Sequence, residues 1–209
     1  MQHPIIYYNK NKYSFSLKAI LLFLVGGLTL SILIYLFLEL GINDWLKEIV
    51  AKQTSFFLNL IGDVNAQAIY TPVEDISWKI YIPSINMSFY LSTWCTGAHI
   101  FSLFIGTIIL VPQSKNSITG KGFLWRKMKA LVVLISFIYI GNIIRLIFIL
   151  GSAYVSLINW SFIHSILNFM SGIIAAIVYI YTLYKILPEF FISIYFLYSL
   201  RQIKKKIKI

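Results

Sequence analysis

The side chains with chemistry to offer sit in three short stretches of an otherwise apolar chain. Thr93-Trp94-Cys95-Thr96-Gly97 holds the only cysteine, Asn142-Ile143-Ile144-Arg145 the only formal charge between Ala130 and Tyr184, and His164 is one of three histidines. A cysteine attacks as its thiolate, a histidine moves protons near neutral pH, and a guanidinium holds a developing oxyanion without losing its own charge. Together they form an acyl-transfer set. Its chemistry is attack on an amide, an acyl-enzyme, and release to water or an amine.

Each of these residues also has a plainer reading. Arg145 lies six residues inside its apolar run if that run ends at Gly151, about 9 Å at 1.5 Å per residue, which is within snorkelling reach of the interface. Against this, a charge inside a span costs about 2.5–3.5 kcal/mol on insertion scales and is usually paired or functional, and Tyr139 and Asn142 stack on the same face. A lone cysteine is often a small buried hydrophobe. At the first turn of a span, however, free N–H groups and the positive helix end favour a thiolate, and Thr96 and Gly97 add a hydroxyl and a point of close backbone approach.

Two histidines compete as its partner. His99 follows Cys95 by four residues and falls on the same helical face, one turn deeper. His164 opens the next apolar run but one at the depth of Cys95, with Asn168, Ser171 and Gly172 beneath it as a polar stripe able to orient the ring. Depth favours His164 and leaves His99 to a hydrogen bond within the bundle, on a stripe with Ser102 and Gly106. A Cys-x₃-His pair can chelate, yet no carboxylate is placed to help, so neither a metal nor another cofactor is expected. His3 falls in the N-terminal tail and needs no role.

The elements that must carry these residues are membrane spans. Of 209 residues 59% are hydrophobic and 12% charged, against roughly 45–50% and 25% in soluble domains. Disorder and a disulfide scaffold are excluded by the apolar content and the single cysteine. The net charge of +11 does not point to nucleic acid, because the basic residues flank apolar runs instead of forming one soluble face. Ala19–Leu38, Trp94–Val111, Ala130–Leu150 and Phe162–Tyr184 approach or exceed the roughly 17–25 residues that cross a bilayer. The first is too long for a signal peptide, and Glu39-Leu40-Gly41 lacks a small-x-small cleavage pattern, so it reads as a retained anchor. Phe190–Leu200 is shorter, bounded by Pro188-Glu189 and Arg201, and reads as an interfacial helix. The expected fold is an all-α integral membrane protein of about four transmembrane helices, with an outer amphipathic helix and a short β-hairpin.

Orientation follows from the basic residues. Fourteen of the 18 Lys and Arg precede the first run, separate the second from the third, or follow the fourth, while six of the seven acids fall between Glu39 and Thr93. The positive-inside rule then makes both termini cytoplasmic and puts Cys95, Arg145 and His164, on three different spans, at one outer height. The basic C-terminal tail reads as an anchor on anionic lipid. Within the outer segment, Asn43 is a plausible N-cap for a helix that spaces Trp45, Leu46, Ile49, Val50, Gln53, Phe56, Phe57, Leu60 and Ile61 at mostly three- and four-residue steps. A period of two over Ile76–Ile82 and Ile85–Leu91, broken by Pro83-Ser84, signals a hairpin. The chain thus divides into a cytoplasmic tail (1–18), an anchor (19–38), the outer helix and hairpin (39–93), a three-helix catalytic core (94–184), and an interfacial helix with a basic tail (185–209).

These residues resemble the exosortase/archaeosortase family of membrane cysteine transpeptidases. The likeness rests on Thr93-Trp94-Cys95-Thr96-Gly97 at the start of a span, the Asn-x-x-Arg pattern of Asn142 to Arg145, and His164 heading the next span, and it covers about residues 70–175. By position it implies Cys95 as nucleophile, Arg145 as stabiliser of the thiolate or transition state, and His164 as acid/base. Asn142, Thr96, Gly97 and His99 are expected in support. It further implies a prokaryotic cell-membrane enzyme whose substrate is a membrane-anchored protein with a C-terminal sorting tail, cut on the outer face and passed to a surface acceptor. In having only about four spans the chain resembles the compact core forms of the family. Two other classes remain open from the residues alone: a non-enzymatic membrane subunit or ion pathway, with Arg145 as a counter-ion, and a metal or haem protein using Cys95, His99 and His164.

Overall fold

The computed structural model describes residues 5–40, 44–72, 77–155 and 160–207, without the side chains of 160–161 and 200–207. The expectations placed on His3, on Asn43 as N-cap, on the acids Glu74 and Asp75, on Ile76 and on Lys208 lie outside the described residues. Among the described residues three helices are long and apolar enough to cross a membrane: α1 (Leu17–Glu39) and two that come later in the chain. α1 is opened by Ser16, whose hydroxyl accepts from Ala19 N at 3.1 Å, and contains one π-helical stretch at Leu22–Gly26. Before it, where only a tail is expected, β1 (Ile6–Tyr8) and β2 (Asn11–Tyr13) pair as a tight antiparallel hairpin. Asn9 and Lys10 make its turn at positive φ, the backbone conformation a two-residue hairpin loop demands.

The amphipathic helix forms as α2 (Asp44–Gly62). The hairpin signal resolves into a three-stranded antiparallel sheet of β3 (Gln67–Tyr70), β4 (Trp78–Ile82) and β5 (Met87–Tyr90), with β4 in the middle. Ile80 faces Ala68 on one side and Phe89 on the other. The third strand escaped the sequence reading because Gln67–Tyr70 is too short to show a period. After a 3₁₀ turn at Thr93–Thr96 comes α3 (Ala98–Ile109). The expected span Trp94–Val111 therefore yields only 12 helical residues, about 18 Å of helix against a hydrocarbon core of about 30 Å. A short α4 (Ser117–Gly120) leads into α5 (Phe123–Val155), then α6 (Trp160–Ile186) and α7 (Glu189–Ile207). α5 and α6 are the second and third long apolar helices. The short run Phe190–Leu200 is part of α7, which continues through the lysine-rich sequence to Ile207.

The chain separates into two compact units, and the long helices run through both. In the unit made of Met1–Ile34, Ser102–Leu134 and Val178–Ile209, Phe15 and Phe196 meet edge to face at 5.8 Å amid Ile6, Tyr13, Ile20 and Ile192. α1 and α3 cross there at small residues. A Cβ on Gly106 would lie 2.5 Å from Ser31 N and 2.7 Å from its Cα, and the Ser31 hydroxyl donates to Gly27 O at 2.8 Å and Leu103 O at 3.2 Å. Such close approach is how helices associate where no hydrophobic force separates them from lipid.

The other unit, Tyr35–Phe101 with Ile135–Ile177, has a core of α2, the sheet and the later part of α5. Val50, Ala51 and Leu58 pack with Trp78, Ile80, Ile82 and Leu91 and with Ile143, Leu146 and Leu150. Asn59 ties the end of α2 to the next segment through two hydrogen bonds, its amide to Ala66 O at 2.9 Å and Ala66 N to its carbonyl at 2.6 Å. The sheet leads directly into the turn that carries Cys95.

Candidate active site

Cys95 does not begin an α-helix. It stands in the 3₁₀ turn Thr93–Thr96, three residues before α3, and Gly97 at φ +79° separates the two. The expected helix-start position is corrected accordingly, and the residue whose carbonyl opens α3 is Gly97, which accepts from Ile100 N and Phe101 N at 3.0 Å each. The turn is locked locally. Cys95 N donates to Ser92 O at 2.9 Å, Thr96 Oγ1 donates to Thr93 O at 2.6 Å, and Gly97 N donates to Trp94 O at 3.3 Å. A left-handed φ favours glycine because a Cβ there crowds the following carbonyl. The Cys95 Sγ is partly buried and hydrogen-bonded to Ser92 Oγ at 3.4 Å.

Two side chains of α5 grasp the turn by its backbone. Asn142 Nδ2 donates to the Cys95 carbonyl at 2.7 Å, and Arg145 Nη2 reaches the same oxygen at 3.4 Å. Arg145 Nη1 donates to Asn168 Oδ1 at 2.7 Å, and the Asn168 amide lies 3.1 Å from His164 Nδ1. Cys95, Arg145 and His164 are thereby strung on one polar chain through Asn168. Arg145 is an internal group with named partners, so free snorkelling does not describe it. The face from Tyr139 to Arg145 divides: Tyr139 turns to α2 and donates to Gln53 Oε1 at 2.5 Å, while Asn142 and Arg145 turn to the cysteine.

Cys95, His99, Arg145, His164 and Asn168 line one cavity of about 320 Å³, with Trp94 and Ser92 at its wall. His99 stacks on Trp94 with ring centres 4.6 Å apart. The break at Gly97 removes the helical register that set His99 beneath Cys95, and both histidines border the same space as the thiol. Gly106, expected to extend the His99 stripe, is used in the crossing with α1. Thr96 is fully buried and bonded within its own turn. A neighbouring apolar cavity of about 250 Å³ shares His99, Arg145 and Ser171 with the first and runs along Gly97, Phe137 and Asn142. The sequence presents Asn168 only as part of an orienting stripe and gives Ser92 no role in the site. The i,i+4 spacing of His164 and Asn168 was the legible signal for the first; nothing in the sequence marks the second. Among the described residues no group of three or more His, Cys, Asp or Glu is placed to hold a metal ion.

No protein-family model matches the chain, and no curated protein or solved structure matches it.

Proposed function

We propose that the chain is a membrane-embedded cysteine transpeptidase or protease of the exosortase/archaeosortase kind, cutting C-terminal sorting tails of exported proteins on the outer face. The observation that carries this reading is the single cavity bordered by Cys95, Arg145 and His164. In the proposed reaction the Cys95 sulfur attacks the scissile carbonyl carbon and its proton passes to His164. Arg145 holds the resulting oxyanion, for which a multi-donor cation is suited. Collapse breaks the C–N bond, His164 returns the proton to the departing amine, and a thioester remains on Cys95. A surface amine or water, deprotonated by His164, then attacks the thioester and frees the thiol. Asn168 is a positioning residue in this scheme, joining the guanidinium to the ring.

The topology belongs to the same proposal: both termini in the cytoplasm, the sheet and α2 outside, and α3 with its preceding turn serving as a fourth crossing. The exposed Trp45, Ile49, Phe56, Leu60 and Ile61 of α2 suit a helix lying on the outer leaflet.

One observation favours a second reading. The described hydrogen bonds of Arg145 are both to protein groups, as an internal brace in a non-enzymatic membrane subunit would have. Processing of a membrane-anchored substrate with a hydrophobic tail and a basic C-terminus separates the two. Cys95→Ala should abolish it at matched membrane abundance; retained processing by that variant would replace the enzyme with the subunit.

A further inference from the structure

A polar groove in the first-described unit has no part in this chemistry. Two adjoining cavities of about 310 Å³ and 260 Å³ share Asn11, Tyr13, Lys185 and Pro188, between the N-terminal hairpin and the corner from α6 to α7. We propose that this groove binds a phosphate-bearing anion, either a lipid headgroup or free phosphate. The inference does not depend on the transpeptidase reading.

Charge is the first argument. The unit holds fourteen of the 18 basic residues and a single acid, Glu189. Glu189 is fully buried and ion-paired to Arg126, and it lines neither cavity. The pair leaves Arg126 fixed and facing the larger cavity, for its guanidinium also donates to Lys121 O at 2.7 Å and Thr119 O at 2.8 Å. Those three bonds use three of the five N–H groups of an arginine. Lys185 rests over Tyr181 and Tyr184 at 5.9 and 5.8 Å from the ring centres, and has no carboxylate partner among the described residues.

The second argument is a hydroxyl donor carried into the groove by a buried side chain. Tyr13 is 5% exposed, lines both cavities, and its hydroxyl has no hydrogen bond among the described residues. Its burial and the Glu189 carboxylate push its pKa up, so it offers a neutral O–H. Guanidinium, ammonium, phenol and the Asn11 amide converge as donors in a space roomy enough for a phosphodiester. Phosphate oxygens match that set, and basic pockets between helix ends are known to take such headgroups.

The full chain, reconstituted in nanodiscs of equal phosphatidylcholine and phosphatidylglycerol, is released into detergent and its retained lipid measured by native mass spectrometry. Wild type should retain phosphatidylglycerol in preference to phosphatidylcholine, and Lys185→Gln should weaken that retention roughly fivefold. Tyr13→Phe should weaken it in the same direction, while tail substitutions Lys204→Gln, Lys205→Gln and Lys206→Gln leave it intact. In phosphatidylcholine alone, a rise in unfolding midpoint with added inorganic phosphate, absent from both groove variants, would identify free phosphate as the occupant. Both groove variants must unfold at the wild-type midpoint in phosphatidylcholine alone without phosphate; if only one does, it decides the result. Preference lost only in the tail variant, or neither lipid preference nor phosphate stabilisation in wild type, would overturn the proposal.

Discussion

At the scale of single residues, the site is organised around a main-chain oxygen. Asn142 and Arg145 both reach the Cys95 carbonyl, so the cysteine is held by its backbone and its sulfur stays at the cavity. Under the proposed chemistry, Cys95→Ser should be nearly as inactive as Cys95→Ala, because a hydroxyl is a poor nucleophile without a stronger base. His164→Ala should lose at least the ~10²–10⁴-fold typical of general acid/base catalysis, and His99→Ala less. The reverse order in a tail-processing assay would move the base to His99. Arg145→Lys should also fail, since an ammonium cannot bridge Asn168 and an oxyanion with planar geometry; normal processing would reduce Arg145 to a brace. Asn168→Ala should cost less than His164→Ala but displace the pH–rate profile, and an unchanged profile would make Asn168 a packing residue.

At the scale of elements, the long apolar runs were legible because length and near-absence of charge suffice to announce α1, α5 and α6. The alternation of Trp78, Ile80 and Ile82 was legible too, and all three are buried as that pattern requires. What escaped was punctuation. Gly97 read as a place for close approach when its φ breaks the run between Trp94 and Val111, and no apolar periodicity reports a backbone dihedral. The strands of the N-terminal hairpin are three residues each, too brief for any pattern. The glycines give a sharp contrast to measure. Gly106→Val should destabilise the protein by about 1–3 kcal/mol through overpacking against the Ser31 backbone. Gly151→Ala, with nothing within 4 Å of its added Cβ, should gain about 0.5–1 kcal/mol by relieving a helical glycine. Thermal unfolding in detergent checks both, and equal midpoints would refute the crossing.

At the scale of the whole molecule, the three helices among the described residues that are fit to cross a membrane make this a multi-pass candidate, and charge asymmetry supplies the proposed sidedness. Single cysteines introduced at Lys79 and Lys121 in a Cys95→Ser background should react with impermeant reagent from opposite sides, Lys79→Cys from outside and Lys121→Cys from inside; the opposite result would invert the proposed topology and its outer-face site. The hinge at Gly97 then bears on how such a protein tolerates its solvent. A nucleophile rigidly continuous with a helix would be dragged whenever that helix tilted to match a thicker or thinner bilayer. Here the turn is moored to α5 by Asn142, and Gly97 at positive φ breaks its helical continuity with α3. If Cys95 is the proposed nucleophile, its sulfur should take its depth from the 33-residue α5 more than from the 12-residue α3, so turnover should vary little across lipids of different chain length, and Gly97→Ala should make it thickness-sensitive.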